Sequence, residues 1–186
     1  MSQAAETALD TRERILRVAL ELIRTRSYLG FSFQDVAEQI GIRKASLYHH
    51  FPTKEALGIE VLERATEWFK VWAERTPATP QKKLGAYVRM FRDTLQAGSA
   101  VCPAGAFAPG WDCIEVDLQK AVRALRSTHI AWLTDVLTEL GSPKQARQRA
   151  NQLFALCQGA LLASRMTGDP ADFDEALAPA KAALGF

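Results

Sequence analysis

Residues 32–57 read SFQDVAEQIGIRKASLYHHFPTKEAL, and the order of start and stop signals within them decides the fold. Ser32 is a hydroxyl N-cap, and Asp35 three residues on completes a capping-box variant with Asp in place of the usual Glu. The helix that follows buries Val36, Ala37 and Ile40 and stops at Gly41, which tolerates the left-handed conformation that ends helices. A short third helix from about Arg43 to His50 buries Ala45 or Leu47 and closes on Phe51; Pro52 then prevents continuation. Thr53 caps a long fourth helix through Leu57, Val61, Ala65, Trp68 and Trp72. Two helices joined by a tight glycine turn form a helix-turn-helix corner.

Working outward, the same helical reading covers the chain. Ile15, Val18, Ala19, Leu22 and Ile23 make one apolar stripe, capped at Asp10 or Thr11, and Tyr28 to Phe31 break it. Thr76 to Pro80 read as a linker-like break, and a fifth helix carries Leu84, Val88, Phe91 and Leu95. AGSAVCPAGAFAPG (97–110) interrupts the pattern. A helix from about Asp112 to Leu140 shows Leu118, Val122, Leu125, His129, Leu133, Val136 and Leu140 on one stripe. Pro143 lies at or near the first turn of the next helix, whose Leu153, Cys157, Ala160, Leu161 and Ser164 share a face, and GDP (168–170) precedes a last helix from about Phe173 to Leu184. With no strand alternation and no repeat, the fold is all-α.

Composition bounds the function. The chain has 186 residues, 48% hydrophobic and 24% charged, enough for a sizeable core, and no apolar run reaches the ~18 residues of a membrane span. The polar start, with Glu6, Asp10 and Glu13, makes no secretion signal, and three cysteines suggest free thiols in a reducing cytoplasm rather than a disulfide framework. Net charge is only +2, and residues 1–60 balance eight Lys or Arg against eight Asp or Glu. Between Gly41 and Lys54, however, stand Arg43, Lys44 and Lys54 and no acid. A nucleic-acid reading therefore rests on local placement.

That placement is specific. With Leu47 and Phe51 turned into a small core beside Ile15 and Ile40, the short helix presents Lys44, Ser46, Tyr48 and His49 outward. These side chains donate to base edges or phosphates, or stack. Lys54 joins an ammonium to the free N–H groups and positive dipole end of the fourth helix, a phosphate seat. The alternative is a helical protein-interaction module whose corner only packs. An enzyme is not indicated: no nucleophile, base and orienter stand at motif spacing, nothing calls for a cofactor, and no metal-ligand cluster is present.

Residues 11–57, TRERILRVALELIRTRSYLGFSFQDVAEQIGIRKASLYHHFPTKEAL, strongly resemble the N-terminal domain of TetR-family transcriptional regulators, with ASLYHHFPTKEAL the most specific string. The resemblance implies a homodimer with a DNA-binding head (residues 1–53) and a larger domain (54–186) that dimerises and binds an inducer, most often one releasing a repressor from a palindromic operator. Carried over by position, it implies DNA contacts from Ser32, Gln34, Lys44, Ala45, Ser46, Tyr48, His49 and Lys54. Arg43 stands where members commonly have Ser or Thr; it cannot cap through a hydroxyl and so reaches a phosphate or a guanine edge itself.

Beyond Lys82 the resemblance weakens. The small residues of QGALLAS (158–164) allow close helix approach, which fits the four-helix dimer interface that the resemblance implies, against the plainer reading of an internal core helix. Trp68, Phe69, Trp72, Tyr87, Phe91, Phe107 and Trp111 lie on the helices and loop expected to enclose a pocket, though each singly also reads as core packing. His129 falls on an apolar stripe, where a histidine usually bonds a backbone carbonyl or, less often, lines a pocket. Cys102 precedes Pro103 and so reads as a helix N-cap, where the dipole would favour a reactive thiolate. VCPAGAFA also resembles a GC-x-x-G-N-type segment of a TetR subgroup that includes electrophile sensors, with Ala106 in place of the Asn. Sensing thiol and pocket-lining thiol both stand as readings; Cys113 is the candidate resolving partner and Cys157 reads as core.

Overall fold

The computed structural model describes residues 3–76, 79–96, 101–141 and 143–186. Parts of three predicted breaks (77–78, 97–100 and Ser142) lie outside the described residues. The chain forms α1 (Gln3–Arg26), α2 (Phe33–Ile40), α3 (Lys44–His50), α4 (Lys54–Glu74), α5 (Pro80–Gln96), α6 (Val116–Glu139), α7 (Ala146–Thr167) and α8 (Ala171–Leu184). Short 3-10 turns at Tyr28–Gly30, Gly105–Phe107 and Trp111–Cys113 join them, and no strand occurs among the described residues. None of these helices is long and apolar enough to cross a membrane.

Capping explains the N-terminal helices. The Ser32 side chain accepts from the Asp35 N–H while the Asp35 carboxylate accepts from the Ser32 N–H at 2.8 Å, a complete capping box. Gly41 ends α2 at φ 72°, ψ 35°, a conformation that an L side chain resists. Thr53 accepts from the Ala56 N–H at 3.0 Å and starts α4. Leu47 and Phe51 are fully buried beneath α3 with Ile15 and Ile40. Burial of each contributes roughly 1.5–3 kcal/mol and fixes which face of the short helix looks out. Ala45, the alternative inward residue, is exposed.

Several boundaries differ from expectation. α1 already runs from Gln3, so positions 10 and 11 lie inside it rather than at its start. α6 begins at Val116 rather than Asp112, because Ile114 is extended (φ −103°, ψ 152°) after the separate Trp111–Cys113 turn. Pro143 sits in a turn before α7, its carbonyl accepting from the Ala146 N–H. On α4 the buried aromatic is Phe69; Trp68 is 57% exposed, because the helix turns the neighbouring position to the core.

α4 links the two halves. It packs against α1 on one side and α6 on the other, while α6, α7 and α8 pack together behind it and α5 lies across α6 and α7. Two ion pairs strap α1 to α4: Arg12 with Glu60, and Arg64 with Glu13 at 2.5 Å. The loop after α5 is tied back to α1, with the Val101 N–H donating to the Arg24 carbonyl at 3.1 Å and the Arg24 Nε donating to the Val101 carbonyl at 3.2 Å. Tyr28 stacks on Phe107 with centroids 4.9 Å apart. Gly110, at φ 76°, lies so close to Leu29 that a Cβ there would stand 2.1 Å from its Cδ1. The loop is therefore in direct contact with the turn between α1 and α2.

Candidate nucleic-acid face and ligand cavity

The outward side of α3 is open. Lys44, Ala45, Tyr48 and His49 are exposed and Ser46 is half-buried, with Tyr48 at 52%. The Tyr48 ring packs on Phe33 with centroids 5.1 Å apart, which holds it on one side while the residue stays exposed. Arg43 occupies the N-cap position with extended backbone and makes no cap with its side chain, so its guanidinium is exposed. Among the described residues α3 packs chiefly on α2, and these outward side chains are not covered by the C-terminal helices.

Three expected contacts on the head are already engaged within the chain. The Ser32 hydroxyl donates to the Asp35 carboxylate at 2.6 Å and caps α2. Gln34 is exposed but donates to Glu38 at 2.7 Å. Lys54 departs most from expectation. Its Nζ donates to the Phe31 carbonyl and lies 4.6 Å from the Tyr28 ring centroid and 4.3 Å from that of Phe31. Burial lowers its pKa, against the opposing pull of Asp35 and Glu115. The ammonium is thus a cross-link between the α1–α2 turn and α4, held by cation–π attraction, and not the free phosphate seat its sequence position suggested.

A second concavity of about 460 Å³ lies between α1, α4, α5 and α6, within the range of small-molecule sites. Of the nine pocket candidates, Trp68, Phe91, Cys102 and His129 line it. Phe69, Trp72, Tyr87, Phe107 and Trp111 do not. Tyr87 and Phe107 are wholly buried, Tyr87 stacking with Trp132 and Phe107 with Tyr28. Trp72 packs on Phe69, and Trp111 receives the Arg123 guanidinium on its ring. The reading from residue type missed the wall supplied by α1, namely Glu13, Leu16, Arg17, Leu20 and Arg24. A signal was present: positions 13, 17, 20 and 24 recur at helical spacing as a second face beside the core stripe.

His129 forms part of the cavity floor. Its Nδ1 lies 3.0 Å from the Tyr87 hydroxyl, where a backbone carbonyl was expected, and its ring stacks on Phe69 with centroids 3.7 Å apart. Tyr87 has no other hydrogen-bond partner among the described residues, so its buried O–H is satisfied by donating to Nδ1. The proton of neutral His129 then sits on Nε2. Burial lowers its pKa from 6.5 to about 3, so the floor is uncharged at neutral pH.

Cys102 is not the helix N-cap expected of it: the turn that follows is the short 3-10 turn Gly105–Phe107, with Ala104 at its cap, and the backbone of Ala104 and Gly105 and the Gln158 side chain face the Cys102 sulfur. Burial outweighs them and raises its pKa, so the thiol is not an activated thiolate. Cys157 is likewise buried and pushed up to about 12, first by burial and then by Cys102, while Cys113 is exposed. No group of three or more metal-ligating side chains occurs among the described residues.

An open helix-turn-helix face, joined through one long helix to a helical body, with a cavity between that body and α1, defines a DNA-binding regulator. Comparison with known proteins gives the family. The model for bacterial regulatory proteins of the tetR family matches residues 15–61, and a tetracyclin repressor-like C-terminal domain model matches residues 116–183. The transcriptional repressor NemR of Escherichia coli K12 is 28% identical over 196 residues, covering 94% of each chain. The transcriptional regulator EthR of Mycolicibacterium smegmatis is 30% identical over 111 residues, a match spanning 57% of this chain and 51% of that relative. A TetR transcriptional regulator from Legionella pneumophila superimposes with a TM-score of 0.84 at 29% identity, over 89% of this chain and 92% of that one. The chain belongs to the TetR family of transcriptional regulators.

Proposed function

We propose that the chain is a homodimeric repressor that holds a palindromic operator through the outward side of α3 and leaves it when a small molecule fills the cavity behind α4. Its head is residues 1–53 and its ligand-binding, dimerising body residues 54–186. The observation that carries the reading is the open α3 face itself, with Leu47 and Phe51 buried beneath Arg43, Lys44, Ser46, Tyr48 and His49. Arg43 and Lys44 supply the phosphate contacts that Lys54 does not, and Tyr48 and His49 meet base edges. Ser32, Gln34 and Ala45 border that face.

The body supports dimerisation. On α7, Ala155, Gly159, Leu162 and Met166 recur at three- and four-residue spacing and are all exposed, Leu162 at 51% and Met166 at 82%. Ala178, Pro179 and Ala182 of α8 are exposed as well. Two such α7–α8 pairs give a four-helix interface that sets the heads about 34 Å apart, one turn of duplex.

Release follows from the position of the cavity. A ligand wedged between α1 and α4–α6 favours one head angle over another, and that differential affinity shifts the dimer away from the spacing that DNA requires.

Tyr48→Ala is expected to weaken operator binding about tenfold, roughly 1.4 kcal/mol, with the circular dichroism and dimer unchanged. A fluorescence-anisotropy titration over a salt series reads it, since a DNA binder loses affinity steeply as salt rises. Wild-type affinity in the variant, or affinity indifferent to salt, would favour the interaction module instead.

The cysteine geometry favours a pocket-lining over a sensing role for Cys102. Brief iodoacetamide treatment followed by peptide mass spectrometry is expected to label Cys113 and spare Cys102 and Cys157, because only Cys113 is exposed. First labelling at Cys102, with operator release abolished in Cys102→Ser, would establish thiol sensing.

A further inference from the structure

The cavity has a charged mouth and an apolar floor. Arg17 and Arg24 reach it from α1 and Arg64 from α4, against one carboxylate, that of Glu13. Deeper in, Leu16, Val61, Phe91 and Leu125 surround His129, which is neutral and adds no charge. The three guanidiniums are not equally committed. Arg64 is held by Glu13 at 2.5 Å and Glu60 at 3.4 Å. Arg24 donates its Nε to the Val101 carbonyl. Arg17 makes no ion pair or hydrogen bond among the described residues. Among the described residues the cavity thus holds a surplus of positive charge, and the Arg17 guanidinium there is available to an anion.

Resting on the ligand-released repressor reading, we infer that the ligand is an amphipathic organic anion, an apolar body carrying one carboxylate. The carboxylate sits between Arg17 and Arg64 and the body lies on Leu16, Phe91 and Leu125. Guanidinium and carboxylate pair in a planar, two-bond geometry that a hydroxyl cannot reproduce. The site also explains why such a ligand moves the head. A second carboxylate beside Arg64 competes with Glu13 for the guanidinium and repels it, which loosens one of the two ion-pair straps between α1 and α4. A neutral ligand of the same shape fills the floor without touching the strap.

The test is a calorimetric titration of the full chain with sodium decanoate, decan-1-ol and decylamine, all below their aggregation concentrations. Saturable decanoate binding is expected, with decanol about ten- to a hundredfold weaker and decylamine weaker still. Arg17→Gln is expected to close the gap between decanoate and decanol. If Arg17→Gln loses decanol binding too, Arg17→Met, which keeps the aliphatic stem, is read in its place. Decanol or decylamine binding as tightly as decanoate, no saturable decanoate binding, or an undiminished decanoate preference in the Arg17 variant overturns the inference. Operator affinity of the ligand-free chain is measured separately: its absence sinks the repressor reading without bearing on the anion preference, and decanoate failure leaves it standing.

Discussion

Leu162→Glu is expected to convert the protein to a monomer in sedimentation velocity and to lower its affinity for a two-half-site duplex on the order of 10²- to 10⁴-fold, while single half-site binding is unchanged. Leu162 is 51% exposed in the single chain, so a carboxylate there costs the fold little. In a four-helix interface built on this stripe the same side chain is covered by the partner's copy of the patch, because a two-fold axis brings one patch against its own copy. Each protomer then buries a carboxylate in an apolar seam, unpaired, which desolvation opposes. The large loss follows from geometry: once one head is seated, the second binds as an intramolecular event, and a monomer forfeits that gain. A Leu162→Glu chain that still sediments as a dimer would place the interface elsewhere.

Acid should destabilise this protein well above the usual carboxylate range, and His129 is the reason. Its pKa is about 3 in the folded chain against 6.5 when exposed. Between those values the unfolded chain binds a proton that the folded chain refuses, so stability is whole above about pH 6.5 and falls as pH drops toward 3. By pH 4.5 the loss is about 3 kcal/mol, from two pH units at ~1.4 kcal/mol each. For a chain of this size that lowers Tm by about 6–12 °C. His129→Gln keeps a hydrogen-bond acceptor for the Tyr87 hydroxyl but does not titrate. Its Tm is expected to fall less than wild type between pH 7 and 4.5 by that margin. Parallel Tm curves for the two proteins would show that protonation of His129 is not what acid exploits.

Both predictions rest on features legible to different degrees from residue order. The Leu162 stripe follows from spacing on one helix, yet its exposure required knowing that Leu153, Cys157, Leu161 and Ser164 take the inner face. His129 was plainly on an apolar stripe, whereas its partner, Tyr87, comes from a helix 42 residues away. No local rule names that hydroxyl in preference to a carbonyl.

The amino-acid order alone determined the helix-turn-helix corner. Ser32 with Asp35, Gly41, Pro52 and Thr53 act within one helical turn of themselves, through caps and backbone angles that need no distant partner. The spacing of Leu47 and Phe51 likewise settled which side of α3 faces out. Tertiary packing decided the rest. It drew the Lys54 ammonium between the Tyr28 and Phe31 rings, buried Cys102 beside Gln158 so that desolvation overrode the turn's N–H groups, and made the second face of α1 a wall of the cavity. Each of these depends on which atoms arrive from elsewhere in the chain. Burial and charge are set by the whole surroundings of a group, while capping and periodicity are set by its neighbours in line.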